Sequence, residues 1–222
     1  MARSFRKEIK EPDAFHRWAA QAVEWYVGNR KTVIIAAAVV LAAVLATLGY
    51  GFWTDHVRRQ AAISLAMADI VRGDPLGPEI EQTLRRTAEK YPSTRSGVIA
   101  RLRLAELLKE RGDTSSAEKE YRGLLKSDAL SDTDRELARR GLAGSLALQG
   151  KCGDAAPIWK DILARGSLLT PEDIYLSLGD CYETGGQPAE ALKTYEELIQ
   201  KHPGSPFITP ELRQRMTRLG GK

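Results

Sequence analysis

The chain has 222 residues, with 33 Lys and Arg against 29 Asp and Glu, for a formal net charge of +4. That length suits one domain with additional segments. The charge is unevenly spread: residues 1–31 carry seven basic and four acidic side chains, residues 54–222 carry 26 and 25, and residues 32–54 carry none. A near-neutral body without a basic patch excludes a nucleic-acid partner.

Residues 1–31 read as a short segment ahead of an apolar rod. Pro12-Asp13 supplies a helix start, Asp13 being a cap whose charge suits the positive end of the helix dipole. Phe15, Trp18, Ala22 and Trp25 then recur at helical spacing, with Arg17, Gln21 and Glu24 elsewhere on the wheel, an amphipathic pattern that fits a membrane surface.

Thr32 to Trp53 is the apolar rod. Its 22 residues span roughly 33 Å as a helix, enough for a hydrocarbon core of about 30 Å. A cleaved signal sequence is the competing reading, with Val44-Leu45-Ala46 as a cleavage-like site. The run is longer than a signal core and ends in Tyr50, Phe52 and Trp53, resembling an interfacial aromatic belt. A retained anchor is therefore expected over 32–53. Arg30, Lys31 and the basic residues behind them favour a cytoplasmic N-terminus, an inner-membrane location and a periplasmic C-terminal domain, although Arg58 and Arg59 lie close to the exit. Ala38, Ala42 and Ala46 form a small-residue stripe that lets a second transmembrane helix approach, so a homodimer stays open.

The remainder, residues 54–222, is repetitive. In 172–205, Tyr175, Leu178, Gly179, Tyr182, Gly186, Ala191, Tyr195 and Pro203 sit at the offsets of the 34-residue tetratricopeptide pattern. Residues 98–131 repeat the frame with Leu104, Ala105, Leu108, Gly112, Ala117 and Tyr121. Residues 136–169 do so with Leu142, Ala143, Leu146, Gly150, Ala155 and Trp159. A degenerate copy at 61–94 keeps Met67, Ala68, Val71, Leu84 and Pro92. The helix after the rod is expected to run on from it through Arg58-Arg59 to about Val71. Thr209-Pro210-Glu211 opens a last helix over 209–220 that closes the stack. The expected fold is all-α: one transmembrane helix, then a solenoid of about four helical hairpins with a C-terminal cap.

This layout resembles the bitopic tetratricopeptide proteins that act as ancillary subunits of the bacterial Sec translocon. The resemblance implies an accessory of translocation whose exposed repeats contact translocon subunits, periplasmic chaperones and newly translocated chains. Lys201-His202-Pro203-Gly204-Ser205-Pro206-Phe207 also looks like repeat ends in tetratricopeptide proteins of outer-membrane assembly and Tol-Pal systems. That leaves an envelope-assembly scaffold as the alternative, and a cytosol-facing import receptor of reversed topology as a third reading.

Catalysis is not expected. The three histidines, His16, His56 and His202, all fall outside the helical frame, which leaves a nucleophilic site without a base. No phosphate loop, dinucleotide fingerprint or zinc motif occurs, so no cofactor or metal is expected. Cys152 opens the second helix of the third repeat, and Cys181 lies near the end of the first helix of the fourth. Stacking brings these two places together, so a disulfide and two buried thiols both remain open. Binding is the expected trade. Positions 2, 5, 9 and 12 of each first helix line the concave face in this architecture. They select Ile99, Leu102, Glu106 and Lys109; Leu137, Arg140, Gly144 and Ala147; and Asp173, Leu176, Asp180 and Glu183. Ile99, Leu102, Leu137 and Leu176 form an apolar strip, with Glu106, Arg140 and Asp180 at its borders, suited to a peptide or to packing against a neighbouring helix. The Lys and Asn clamp of chaperone-tail receptors is missing, because its positions hold Leu102, Glu106, Gly141, Asp173 and Ser177.

Overall fold

The computed structural model describes residues 14–70 and 76–220, with side chains from Trp18 onward. The Pro12-Asp13 cap, the side chains of Phe15 and Arg17, and Val71 lie outside the described residues. Most of the described residues are helical, and no strand occurs among them. The chain divides into two units, Met1–His56 and Val57–Lys222.

The first unit holds α1 (Ala14–Gly28) and the opening part of α2 (Arg30–Ile70). Asn29 separates them, its backbone N–H and its side-chain amide each donating to the Trp25 carbonyl at 3.0 Å. Along the apolar stretch of α2 the hydroxyls of Thr47 and Thr54 donate back to the carbonyls of Val44 and Gly51, at 2.8 and 2.9 Å. Such bonding satisfies these two threonine hydroxyls within the helix itself. The apolar side chains here are bare: Ile35 is 64% exposed and Leu45 60%.

The second unit is a stack of helix pairs. The end of α2 pairs with α3 (Pro78–Lys90), α4 (Arg95–Glu110) with α5 (Thr114–Leu125), α6 (Asp132–Leu148) with α7 (Cys152–Arg165), and α8 (Glu172–Thr184) with α9 (Pro188–Lys201). Helix α10 (Pro210–Leu219) follows, its start capped by the Thr209 hydroxyl accepting from the Leu212 N–H.

One turn chemistry recurs between the members of three pairs. Gly112, Gly150 and Gly186 each take positive φ, at 84°, 75° and 70°. The next residue donates back five positions, Asp113 to Leu108, Lys151 to Leu146 and Gln187 to Tyr182, at 2.8–2.9 Å. This closes the carbonyls of the first helix and reverses the chain, at a backbone conformation that glycine adopts without strain. Two helix starts precede the 34-residue frame. Thr94 caps α4, and Ser131 with Asp134 forms a reciprocal cap on α6, so local capping chemistry rather than repeat arithmetic sets those starts.

The core follows the repeat positions. Ala117, Ala155 and Ala191 are fully buried, and Tyr121, Trp159 and Tyr195 fill the seams above them. Leu104, Leu142 and Leu178 are buried at equivalent places, but Met67 of the first copy is 57% exposed. Met67 therefore departs from its expected core role, because among the described residues no earlier helix pair covers it.

Candidate functional site

The first helices of successive pairs are α2, α4, α6, α8 and then α10 in the next place. Each is tied to its successor by an arginine and a carboxylate. Arg103 of α4 meets Asp69 of α2 at 2.6 Å, and Arg95 of α4 pairs with Asp134 of α6. Arg140 of α6 reaches Asp173 of α8 at 2.8 Å. Arg215 of α10 pairs with Asp180 and, at 2.6 Å, with Glu183 of α8. Most of these partners are about one repeat apart in sequence, with separations of 33 to 35. Opposite charges spaced near 34 residues apart were the available sequence signal, and residue-by-residue reading missed it.

Arg140, expected at the border of a ligand site, is instead saturated within the fold. Its Nε and Nη2 donate to Glu136, Nη2 also to the Ser167 hydroxyl, and Nη1 to the Thr170 carbonyl and Asp173. Glu136 is buried, which by itself raises a carboxyl pKa. The Ser167 hydroxyl at 2.5 Å, the Leu168 N–H at 2.7 Å and Arg140 outweigh that and hold it below the usual carboxylate range. Asp180 is engaged by Arg215 and by the Tyr195 hydroxyl at 2.9 Å. Glu106 accepts from the Tyr121 hydroxyl at 2.8 Å and pairs with Lys109 at 2.7 Å. Burial first, and then the neighbouring carboxylates, push both tyrosines well above the ordinary phenol range, so both are neutral donors.

The apolar candidates are divided in the same way. Leu102 and Leu176 pack partly buried against the core, Ile99 is half-buried, and Leu137 is 42% exposed. Ala38, Ala42 and Ala46 all face outward on α2. Cys152 and Cys181 are joined by a disulfide, with their Cα atoms 5.4 Å apart.

What stays open is a neutral groove across α4, α6 and α8, with a volume of about 310 Å³. Gly144, Ala147 and Ser177 line it beside Lys109 and Asp180, with the disulfide and Trp159 as further lining. A Cβ at Gly144 would meet no atom within 4 Å, so a ligand backbone can come close there. Leu148, 66% exposed, supplies an apolar rim. Small side chains with one apolar anchor suit an extended main chain better than a charged ligand. A second cleft, of about 330 Å³, lies between α7 and α9, and Tyr175, Leu178 and Tyr182 of α8 line it. There the Lys160 and Lys201 ammonium groups stand over the Tyr182 and Tyr175 rings, at 5.2 and 5.5 Å.

Comparison with known proteins bears on the repeats. Residues 24–220 match the family model described as tetratricopeptide repeat-like domain. No curated protein matches the sequence. Among solved structures, the TPR-like repeats of a Podosopora anserina protein described as a kinesin light chain are similar. They give a TM-score of 0.59 at 14% identity, over 75% of this chain and 88% of that one. The MamA RS-1 ArsTM double mutant gives 0.53 at 15% identity, over 72% of this chain and 94% of that one. At such identities the likeness concerns the fold alone.

Proposed function

From the tetratricopeptide repeat-like domain family, to which this chain belongs, we propose a membrane-anchored adaptor that binds protein segments through its repeat groove. Repeat stacks of this kind act as interaction scaffolds, and the groove between first helices is lined by small side chains and open to a peptide backbone at Gly144. The anchor is carried by one observation: the apolar window of α2 has none of its residues buried in the protein. Bare side chains of that length and polarity are costly in water and stable in lipid.

The basic residues before the span support a cytoplasmic N-terminus with the repeats on the periplasmic side of an inner membrane. The Cys152–Cys181 bond fits that oxidising side. The finer reading is an accessory of the Sec translocon that links it to periplasmic chaperones, an analogy from architecture. Confinement beside membrane machinery raises the local concentration of the groove, which strengthens a weak peptide contact without further surface.

Two measurements test this. In sealed inner-membrane vesicles, protease added on the cytosolic face should leave the repeat domain intact; digestion there reverses the topology. Affinity isolation in mild detergent should recover translocon subunits, and recovery should fall when Ala147→Arg fills the groove while helix content stays unchanged. Recovery of envelope-assembly proteins alone would replace the translocation reading with a scaffold in envelope assembly.

A further inference from the structure

The aqueous end of α2 presents two different faces. Ala61 and Ala68 are buried, Leu65 packs against the core, and the Ser64 hydroxyl bonds that of Thr87 in α3 at 2.6 Å. The opposite face is apolar and open: Ala62, Ile63, Ala66, Met67 and Ile70, with Ile63 53%, Met67 57% and Ile70 72% exposed. Repeat arithmetic gives this face its meaning. Ile63, Met67 and Ile70 occupy the places that Ala100, Leu104 and Leu107 hold one repeat later, where exposure is 0%, 1% and 5%. In the fourth repeat the same places are Ile174, Leu178 and Cys181, at 1%, 4% and 3%. Each later first helix is covered there by the preceding pair, and α10 packs over the other end of the stack. The first helix therefore carries core-type side chains with no described residue over them.

We propose that a second copy of this chain covers that face, in a parallel dimer along α2. This rests on the anchor reading above. Copies anchored in one membrane with one orientation bring identical residues to the same height, which favours a two-fold, self-complementary contact. The sequence of α2 has the matching register. Counted in sevens along the sequence, Ile35, Ala42, Gly49, Ile63 and Ile70 share one heptad position, and Ala38, Leu45, Phe52 and Ala66 share the adjoining one. That spacing is compatible with a two-stranded coiled coil; Ile63, Ala66 and Ile70 are its discriminating positions, and the small residues of the span allow close approach. His56 and Arg59 interrupt it for one turn between its apolar halves. The aqueous half alone offers few layers, so the contact depends on both copies being held in one membrane.

The test uses the full chain reconstituted in lipid vesicles at low protein density, with the native cysteine pair retained. Ile63→Cys and Ile70→Cys should each give an oxidatively crosslinked dimer, while Glu89→Cys on α3 should give at least tenfold less. Adding Met67→Glu to Ile70→Cys should cut its crosslinking at least fivefold without changing helix content. Carbonate-resistant chains that fail to crosslink at positions 63 and 70 overturn the dimer and leave the anchor standing. Extraction of the chain by carbonate overturns the anchor reading, and the dimer with it. Quenching of a dye at Ile63→Cys by lipid-borne quenchers, without crosslinking, assigns the face to lipid and also overturns the proposal.

Discussion

Opening the Cys152–Cys181 bond should weaken the solenoid where the third and fourth pairs meet. The bond ties the first turn of α7 to the last turns of α8 across a sequence separation of 29. In the chain-entropy model a loop of that length stabilises by about 3.6 kcal/mol at 25 °C. For a domain of this size that corresponds to a fall in Tm of roughly 7–14 °C, at about 2–4 °C per kcal/mol. The junction has little to compensate with, since clefts of about 330 and 510 Å³ lie along α7 beside it. The assay is thermal unfolding of the full chain in nanodiscs, followed by circular dichroism with and without a dithiol reductant. Thiol titration of the denatured protein establishes the redox state in each sample. A fall of less than 2 °C with both thiols shown to be free would refute the loop-entropy argument. Two reactive thiols in the unreduced protein would show that the bond does not form at all.

Three further outcomes follow from the packing. Gly141→Ala drives a Cβ into the buried Tyr121 ring and should cost about 2 kcal/mol by overpacking. Gly144→Ala, on the same helix but over open space, should be neutral or stabilise by up to about 1 kcal/mol; urea titration of the pair separates the two cases. Arg140→Met strands the buried Glu136 and should cost about 3 kcal/mol, part of which Glu136→Gln should restore in the double variant. Acid should destabilise the domain with a definite sign. Glu136 is held low as described, and Asp134 is also held low, the Ser131 hydroxyl and Arg95 outweighing its burial. Their contribution is complete above the unfolded carboxyl values of about 4 and is lost as pH falls through the depressed folded values. Stability measured from pH 6 to pH 2 should therefore fall below pH 4, and less steeply in Glu136→Gln; a rise on acidification would contradict the assignment.

The repeat positions were legible because each is a local packing demand. An alanine such as Ala117 and an aromatic such as Tyr121 at fixed offsets fit one hairpin geometry, and Gly112 fits only its turn. The apolar rod was equally plain, since length and absence of charge are one-dimensional properties. The intended binding face was less legible. Positional counting placed Arg140 and Asp180 at a ligand border, but an ion pair needs its partner, and Asp173 and Arg215 arrive from the next helix in the stack.

The sequence by itself thus determined the helices, their turns and the order in which pairs stack, because these rest on contacts between near neighbours. Tertiary structure alone decided which charges are spent between helices, which small residues leave a groove at Gly144, and that Met67 stands bare beside Ile63. Those outcomes depend on what lies one repeat away, and at the first helix no earlier pair is described to cover them.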